Sequence, residues 1–327
     1  MKNHIIPLAM AAVLLTACEK QIDIDLTNQE RIVVMHSFAT NDKPLSVDVT
    51  LSRPVFGWHS DDETYANSPF PGVYDASATL SVKGSGTYNA TRDSNRYSFA
   101  YTPQYGDEMT LHIEVPGKDP LSATTTMPFP PTIGTVEKVV QTNQYENTEY
   151  CFRIPISDRA DMENYYSISL KYYYYYNVQQ VDADGQPLVY DFVDSSSRQY
   201  FNCSDPLIID HDMSDVFMDP TEMPEFWGST LYFDDNRING TTHTVEIKTY
   251  GRPLSTGTKC IFTWKLYITA HSREEYYFHT AMLPLNDIED ILNFFSEPAT
   301  GYSNVEGGAG VFGAHTTAVY EFTERNW

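Results

Sequence analysis

Between Tyr200 and Asn236 the chain carries nine acidic residues and neither Lys nor Arg. Carboxylates so closely spaced repel one another unless water or a bound cation separates them. Asp210, Asp212 and Asp215 offer the hard oxygen ligands that calcium takes, and His211 between two of them makes a transition metal conceivable. No regular ligand spacing runs through the segment, so a solvated acidic loop competes with calcium as the explanation. A second possible calcium loop is Asp182-Ala183-Asp184-Gly185. Taking Gly185 as its sixth position puts Gln180 first and Asp191 twelfth, where such a loop needs an acidic ligand and a bidentate Glu. Asp-Gly between two β-prone runs instead signals a hairpin, because both central residues of a type I′ turn need positive φ.

Tyr172 to Tyr176 form an unbroken run of five tyrosines. In a strand Tyr172, Tyr174 and Tyr176 face one way and Tyr173 and Tyr175 the other, so both faces are aromatic. One face can pack on a core. The other can be a platform for a glycan, a peptide or a partner receptor, since tyrosine offers a large contact area at low entropic cost. Tyr172, Tyr174 and Tyr176 are the candidate set for that surface, with core packing on both sides as the rival reading.

Cys151, Cys203 and Cys260 lie in the body of the chain and allow at most one disulfide among themselves. Cys151 with Cys203 is the expected pair, leaving Cys260 as a buried thiol. Gly308-Ala309-Gly310-Val311-Phe312-Gly313 fits the dinucleotide string G-x-G-x-x-G, but only fourteen residues follow it and they read as a strand. These glycines are expected in a tight turn that feeds the last strand. No H-E-x-x-H, G-x-S-x-G or phosphate-loop lysine motif occurs. A hydrolase would need scattered residues to converge in space, and no catalytic residue is nominated.

The elements that must position these groups are short strands. Leu45, Val47, Val49 and Leu51 alternate with Ser46, Asp48 and Thr50, the period of a strand buried on one face. Comparable runs lie near residues 32–35, 78–82, 96–101, 109–115 and 121–127, enough for a small sandwich. Pro128, Pro130 and Pro131 then remove ladder donors and favour an extended connector. The second half has strands near 136–140, 150–156, 164–178, 186–193, 243–250 and 260–270. Ser272 with Glu275 three residues on makes a capping box for a helix, Pro284 ends or kinks it, and a second short helix follows from Asn286 and Asp287. The expected fold is mainly β. It comprises an Ig-like β-sandwich over 31–127, a linker at 128–131, and a larger β-rich domain over 132–327 with helices near 272–295.

Lys2 and His4 precede an apolar run over residues 5–15, and Leu15-Thr16-Ala17-Cys18 closes it. That is a basic flank, a hydrophobic segment too short for a permanent span, and a small-residue cleavage site. The Cys placed directly after Leu-Thr-Ala resembles a bacterial lipobox, which implies cleavage before an acylated Cys18. Residues 1–17 are then a signal peptide and 18–30 a tether held in membrane lipid. Each buried methylene of an acyl chain contributes ~0.8 kcal/mol to that hold. The chain carries 44 acids against 21 bases, a net charge of −23, which argues against nucleic acid and against attraction to an anionic bilayer surface. With 41% hydrophobic and 14% aromatic residues it can still bury packed cores.

Several separated stretches together are similar to the DUF4249 family, a domain of unknown function found in lipoproteins of the Bacteroidota. They are Cys18-Glu19-Lys20-Gln21-Ile22-Asp23-Ile24-Asp25-Leu26, Arg31-Ile32-Val33-Val34, Leu51-Ser52-Arg53, Asp158 with Asn164-Tyr165-Tyr166, and Phe233-Asp234-Asp235 with Asn239-Gly240. The most specific part is Glu274-Glu275-Tyr276-Tyr277, Glu297-Pro298 and the run from Tyr302 to Ala314. Asn236-Arg237-Ile238 departs from the apolar-aromatic step usual before Asn-Gly. The resemblance implies an outer-membrane lipoprotein, often accompanied by a TonB-dependent receptor with a carboxypeptidase-regulatory-like plug extension. It supplies neither an established ligand nor catalytic residues. The acid-rich start after Cys18 is similar to the export tag of surface lipoproteins, so the body is expected to face the cell exterior. The expected function is a non-enzymatic accessory or ligand-binding partner of such a receptor, its ligand a small molecule, glycan or peptide. A surface adhesin or fimbria-like lipoprotein is the alternative, and an envelope hydrolase is third.

Overall fold

The computed structural model describes residues 31–52, 71–142, 148–190, 192–196, 199–205, 207, 225–250, 259–282 and 302–326. Cys18 with the leader, the set Asp210, His211, Asp212 and Asp215, and the second helix lie outside the described residues. The described chain is mainly β with one helix among the described residues.

Eight strands open the fold: β1 (Val33–Ala39), β2 (Ser46–Leu51), β3 (Ser77–Val82), β4 (Gly86–Asn89), β5 (Thr91–Asp93), β6 (Arg96–Ser98), β7 (Glu108–Glu114) and β8 (Leu121–Thr126). In β2 the alternation read from sequence is the alternation of burial, Val47 and Val49 being fully buried between half-exposed Ser46 and Asp48. Strands run in the order β4-β3-β7-β8 in one sheet, while β1, β2, β6 and β5 end a nine-stranded sheet. Met35, Val47 and Val49 from the latter share a core with Leu80, Leu111 and Ile113 from the former.

Pro128, Pro130 and Pro131 fall between β8 and β9 (Thr132–Ile133). There follow β10 (Glu137–Thr142), β11 (Thr148–Ser157), β12 (Tyr165–Tyr176), β13 (Gln180–Val181), β14 (Pro187–Val189), β15 (Phe192–Ser196), β16 (Phe201–Ser204), β17 (Glu225–Gly228), β18 (Thr230–Asp234), β19 (Thr242–Tyr250) and β20 (Cys260–His271). Helix α1 (Arg273–Met282) precedes the last strand, β21 (Ala309–Asn326). A second core forms between β12 and β20 on one side and the sheet β10-β11-β19-β16-β17 on the other, with Trp264, Phe152 and Ile168 at its centre.

Strand β21 belongs to both cores. Its residues 309–314 run parallel to β1, and residues 315–326 run antiparallel to β20. Phe312 and Ala314 are buried in the first core, while Tyr320 and Phe322 pack on the second. Gly308 thus lies in a bend just ahead of the strand, as expected, while Gly310 and Gly313 already belong to its beginning. At Gly310, φ is +116° and a Cβ would stand 1.9 Å from the Met35 carbonyl oxygen, so glycine lets β21 lie against β1.

The Asp182 turn closes a hairpin between β13 and β14, but not as the expected type I′ turn, since Asp184 does not take a positive φ. Asp182 Oδ1 accepts the N–H groups of Asp184 and Gln186, and Gly185 has φ +80°. The disulfide expected between Cys151 and Cys203 is not formed. Cys151, Cys203 and Cys260 are all buried, and no disulfide joins them among the described residues. Cys151 and Cys203 flank β19 from opposite sides, at Lys248 and Ile247. Two strand spacings separate them by about 10 Å, whereas bridged Cα atoms lie within about 7 Å.

The proposed tyrosine platform is corrected as well. Tyr172 is buried, and Tyr174 and Tyr176 pack against the second core, in a stack that continues onto Phe262 and Trp264. Tyr173 and Tyr175 are the set on the opposite face, where Lys265 sits 5.6 Å from the Tyr173 ring centre. The sequence period placed the two sets on opposite faces; which face met the core depended on where β11 and β19 dock.

Candidate functional site

Helix α1 is laid across the outer face of the nine-stranded sheet by its cap. Ser272 Oγ accepts the Glu275 N–H at 3.3 Å and the Ala314 N–H at 3.1 Å, while Ser272 N donates to the Ala314 carbonyl at 2.7 Å. Because that N–H is already satisfied by β21, Glu275 does not reach back as a capping box would. Its side chain turns into the joint between helix and sheet and is 2% exposed. Gly313 makes this possible: a Cβ there would stand 2.6 Å from Glu275 Cβ.

Three imidazoles surround the buried carboxylate. His315 Nδ1 lies 2.9 Å from Oε1, His271 Nδ1 3.2 Å and His279 Nε2 3.5 Å. They come from β21, from β20 and from one turn further along α1. His271 Nε2 also meets Ser167 Oγ on β12 at 2.8 Å, while its Nδ1 is off the bonding direction of Glu275 and makes no hydrogen bond among the described residues. Tyr232 and Phe38 stack on the His279 ring and close the site from the sides.

Burial alone would raise the Glu275 carboxyl, but the three imidazoles outweigh it and hold it well below the usual carboxylate range. Burial lowers His271, the Glu275 carboxylate offsets only part of this, and His315 and His279 add repulsion. Burial also acts to lower His315; there the hydrogen bond and charge of Glu275 prevail and the pKa is raised. The joint thus holds an ionised carboxylate, and His315 gives it the one contact with full hydrogen-bond geometry among the described residues.

Ser167, His271 and Glu275 follow the order hydroxyl, imidazole, carboxylate found in catalytic relays. Ser167 is buried in a strand paired with β18 on one side and β20 on the other, so its hydroxyl orients an imidazole and is not presented to a substrate. Oε1 itself occupies the point toward which the three imidazole nitrogens converge. Among the described residues no group of His, Cys, Asp and Glu is arranged to hold a metal ion.

Beside the joint lies a cavity of about 440 Å³, lined by Gly106 and residues 126–129, 162–165 and 270–274. Pro128, Phe129 and Met162 form its accessible apolar wall over buried Met127 and Ala270, and Glu163, Arg273 and Glu274 bring charge. Glu163 accepts the Tyr165 hydroxyl and Glu274 the Thr125 hydroxyl, each at 2.9 Å. Its volume falls in the range of roughly 300–1,000 Å³ typical of small-molecule sites, and it lies where the chain passes from one core to the other.

A second cluster ties loops. Asp158 accepts the Tyr166 hydroxyl and the Gly240 N–H, both at 3.0 Å, and Asp235 accepts the Asn164 N–H at 2.8 Å. Ile238 is buried in the second core, so the departure at Asn236-Arg237-Ile238 still supplies an apolar anchor. Of the acids between Tyr200 and Asn236, Asp205 is held by His243 and Asp234 by Asn236. The structure thus commits Asp205, Asp234 and Asp235 to protein partners. Sequence reasoning missed the histidines. The spacing of Glu275 and His279 places a carboxylate and an imidazole one turn apart on one helical face, and that was the available signal.

The two segments that carried the family resemblance most strongly, around Glu275 and around Gly313, meet at this joint. A family model described as a domain of unknown function, DUF4249, matches residues 19–321, and the chain belongs to that family. No curated protein matches the chain.

Proposed function

We propose that this DUF4249 member is an outer-membrane lipoprotein, anchored through acylated Cys18 and facing the cell exterior, that captures a ligand for a TonB-dependent receptor without chemistry of its own. The observation that carries the reading is Leu15-Thr16-Ala17-Cys18 at the end of the apolar run. The charge of −23 supports it, because a body this acidic is not drawn to an anionic membrane surface and needs a lipid anchor to stay there. The cavity beside α1 provides a place for a small ligand. The receptor is what the family resemblance implies.

Purification of the native protein from detergent-solubilised outer membranes, with labelled palmitate in the growth medium, tests the proposal. Expected are label on the wild-type protein, none on Cys18→Ala, and a receptor barrel that co-purifies. An unlabelled, lone, soluble monomer overturns it. An adhesin is the second reading, favoured by β21: residues 315–326 pair with β20 on one edge and with no strand on the other among the described residues. Such an edge can accept a partner's strand, and a polymer in the same preparation would support that alternative.

A further inference from the structure

We infer that the cavity beside α1 takes a zwitterion: an α-amino acid with an apolar side chain, free or as a short peptide. The inference rests on the ligand-capturing reading for its purpose and on the lining of the cavity for its chemistry.

Both signs of charge line this one cavity, yet among the described residues Arg273, Glu163 and Glu274 form no ion pair with each other or with any other group. Arg159, the other guanidinium nearby, packs 4.4 Å over the Phe129 ring and is already paired with Asp161. Arg273 is exposed and rests against the Tyr277 ring at 5.5 Å, which leaves its planar fork of donors open to a carboxylate.

Arg273 and Glu274 are consecutive on α1, so their side chains leave the helix about 100° apart and cannot neutralise each other. Each acid accepts one hydroxyl, and a carboxylate has capacity for about four donors, enough for an ammonium as well. A ligand with a single charge would satisfy one sign and be repelled by the other. A zwitterion satisfies both at once. Between the charges, Pro128, Phe129 and Met162 form an apolar wall for an aliphatic or aromatic side chain, with a flexible methionine that adapts to its shape.

Isothermal titration of the full-length, detergent-solubilised lipoprotein with L-leucine, L-phenylalanine and leucyl-leucine tests this. N-acetylleucine and leucinamide each remove one charge and serve as comparisons. Zwitterions are expected to bind at least about tenfold more tightly than either blocked form, which is the loss of one charge-assisted contact of ~1.4 kcal/mol or more. A stronger signal for leucine than for leucyl-leucine identifies the free amino acid as ligand, and the reverse identifies the peptide. Arg273→Gln should bind leucine and leucinamide equally, and Glu163→Gln combined with Glu274→Gln should bind leucine and N-acetylleucine equally. Blocked forms that bind wild-type protein as well as leucine does, or zwitterions that do not bind at all, overturn the inference. If the receptor still co-purifies in that case, only the ligand assignment fails; zwitterion binding without a receptor overturns the accessory reading alone.

Discussion

Replacing Glu275 by Gln keeps the shape of the side chain and removes its charge. The contact with full hydrogen-bond geometry is the one from His315 Nδ1, while His279 at 3.5 Å and the misaligned His271 contribute less. A hydrogen bond to a charged group contributes about 1.5–3 kcal/mol, so E275Q should cost about 2–3 kcal/mol. The loss falls short of the roughly 3–5 kcal/mol of a broken buried pair, because His315 can release its proton once its partner is neutral. In a chain of this length that lowers the melting temperature by about 3–5 °C.

The pH dependence is the sharper test. Glu275 is held well below 4.5, so its stabilisation is present above that value and persists far into acid. His315 is raised above 6.5, so its share is complete below 6.5 and is lost as pH rises through the folded-state value. The cost of E275Q is therefore larger near pH 6 than near pH 8.5. His271, whose pKa is lowered, removes stability from both proteins as pH falls below 6.5, and Lys43 and Asp42 act on His315 in both. Urea unfolding followed by the fluorescence of buried Trp264 measures the difference at the two pH values. A cost that is the same at both, or larger in alkali, would refute the assignment of the His315–Glu275 pair.

Gly313→Ala places a Cβ against Glu275 and forces α1 off the sheet; we expect a loss of about 1–3 kcal/mol in the same unfolding assay, together with loss of the pH-dependent increment. Tyr172→Ser opens the second core and should cost about 3 kcal/mol or more, whereas Tyr173→Ser on the outer face should cost less than about 1 kcal/mol; equal costs would contradict the orientation of β12. Cys151, Cys203 and Cys260 should react with a thiol reagent only after denaturation, and a reductant should leave the melting temperature unchanged. Burial underlies this, pushing the Cys151 thiol up to about 11 and the Cys203 thiol up to about 12.

Much of the β architecture was legible because alternation is a local property. The burial of Val47 and Val49, the Asp182 hairpin and the start of α1 at Ser272 each depend on residues within a few positions of one another. A three-residue strand exposed along its length, such as β5, carried no such signal. The disulfide expectation went wrong for a related reason: the strand order β11-β19-β16 interposes a strand that sequence spacing does not reveal.

The sequence by itself determined the period of the strands, the acidity of the chain and the family. Those are properties of composition and of near neighbours. The tertiary structure alone decided that β1 and β21, from opposite ends of the chain, lie parallel, and that Tyr172 faces inward. It also decided that His315 meets Glu275 across a glycine that leaves room for the helix, and that Arg273 lines one cavity with Glu163. Each of these is a contact between segments far apart in the chain, set by which faces bury together, and hydrophobic burial is non-directional until the whole core is assembled.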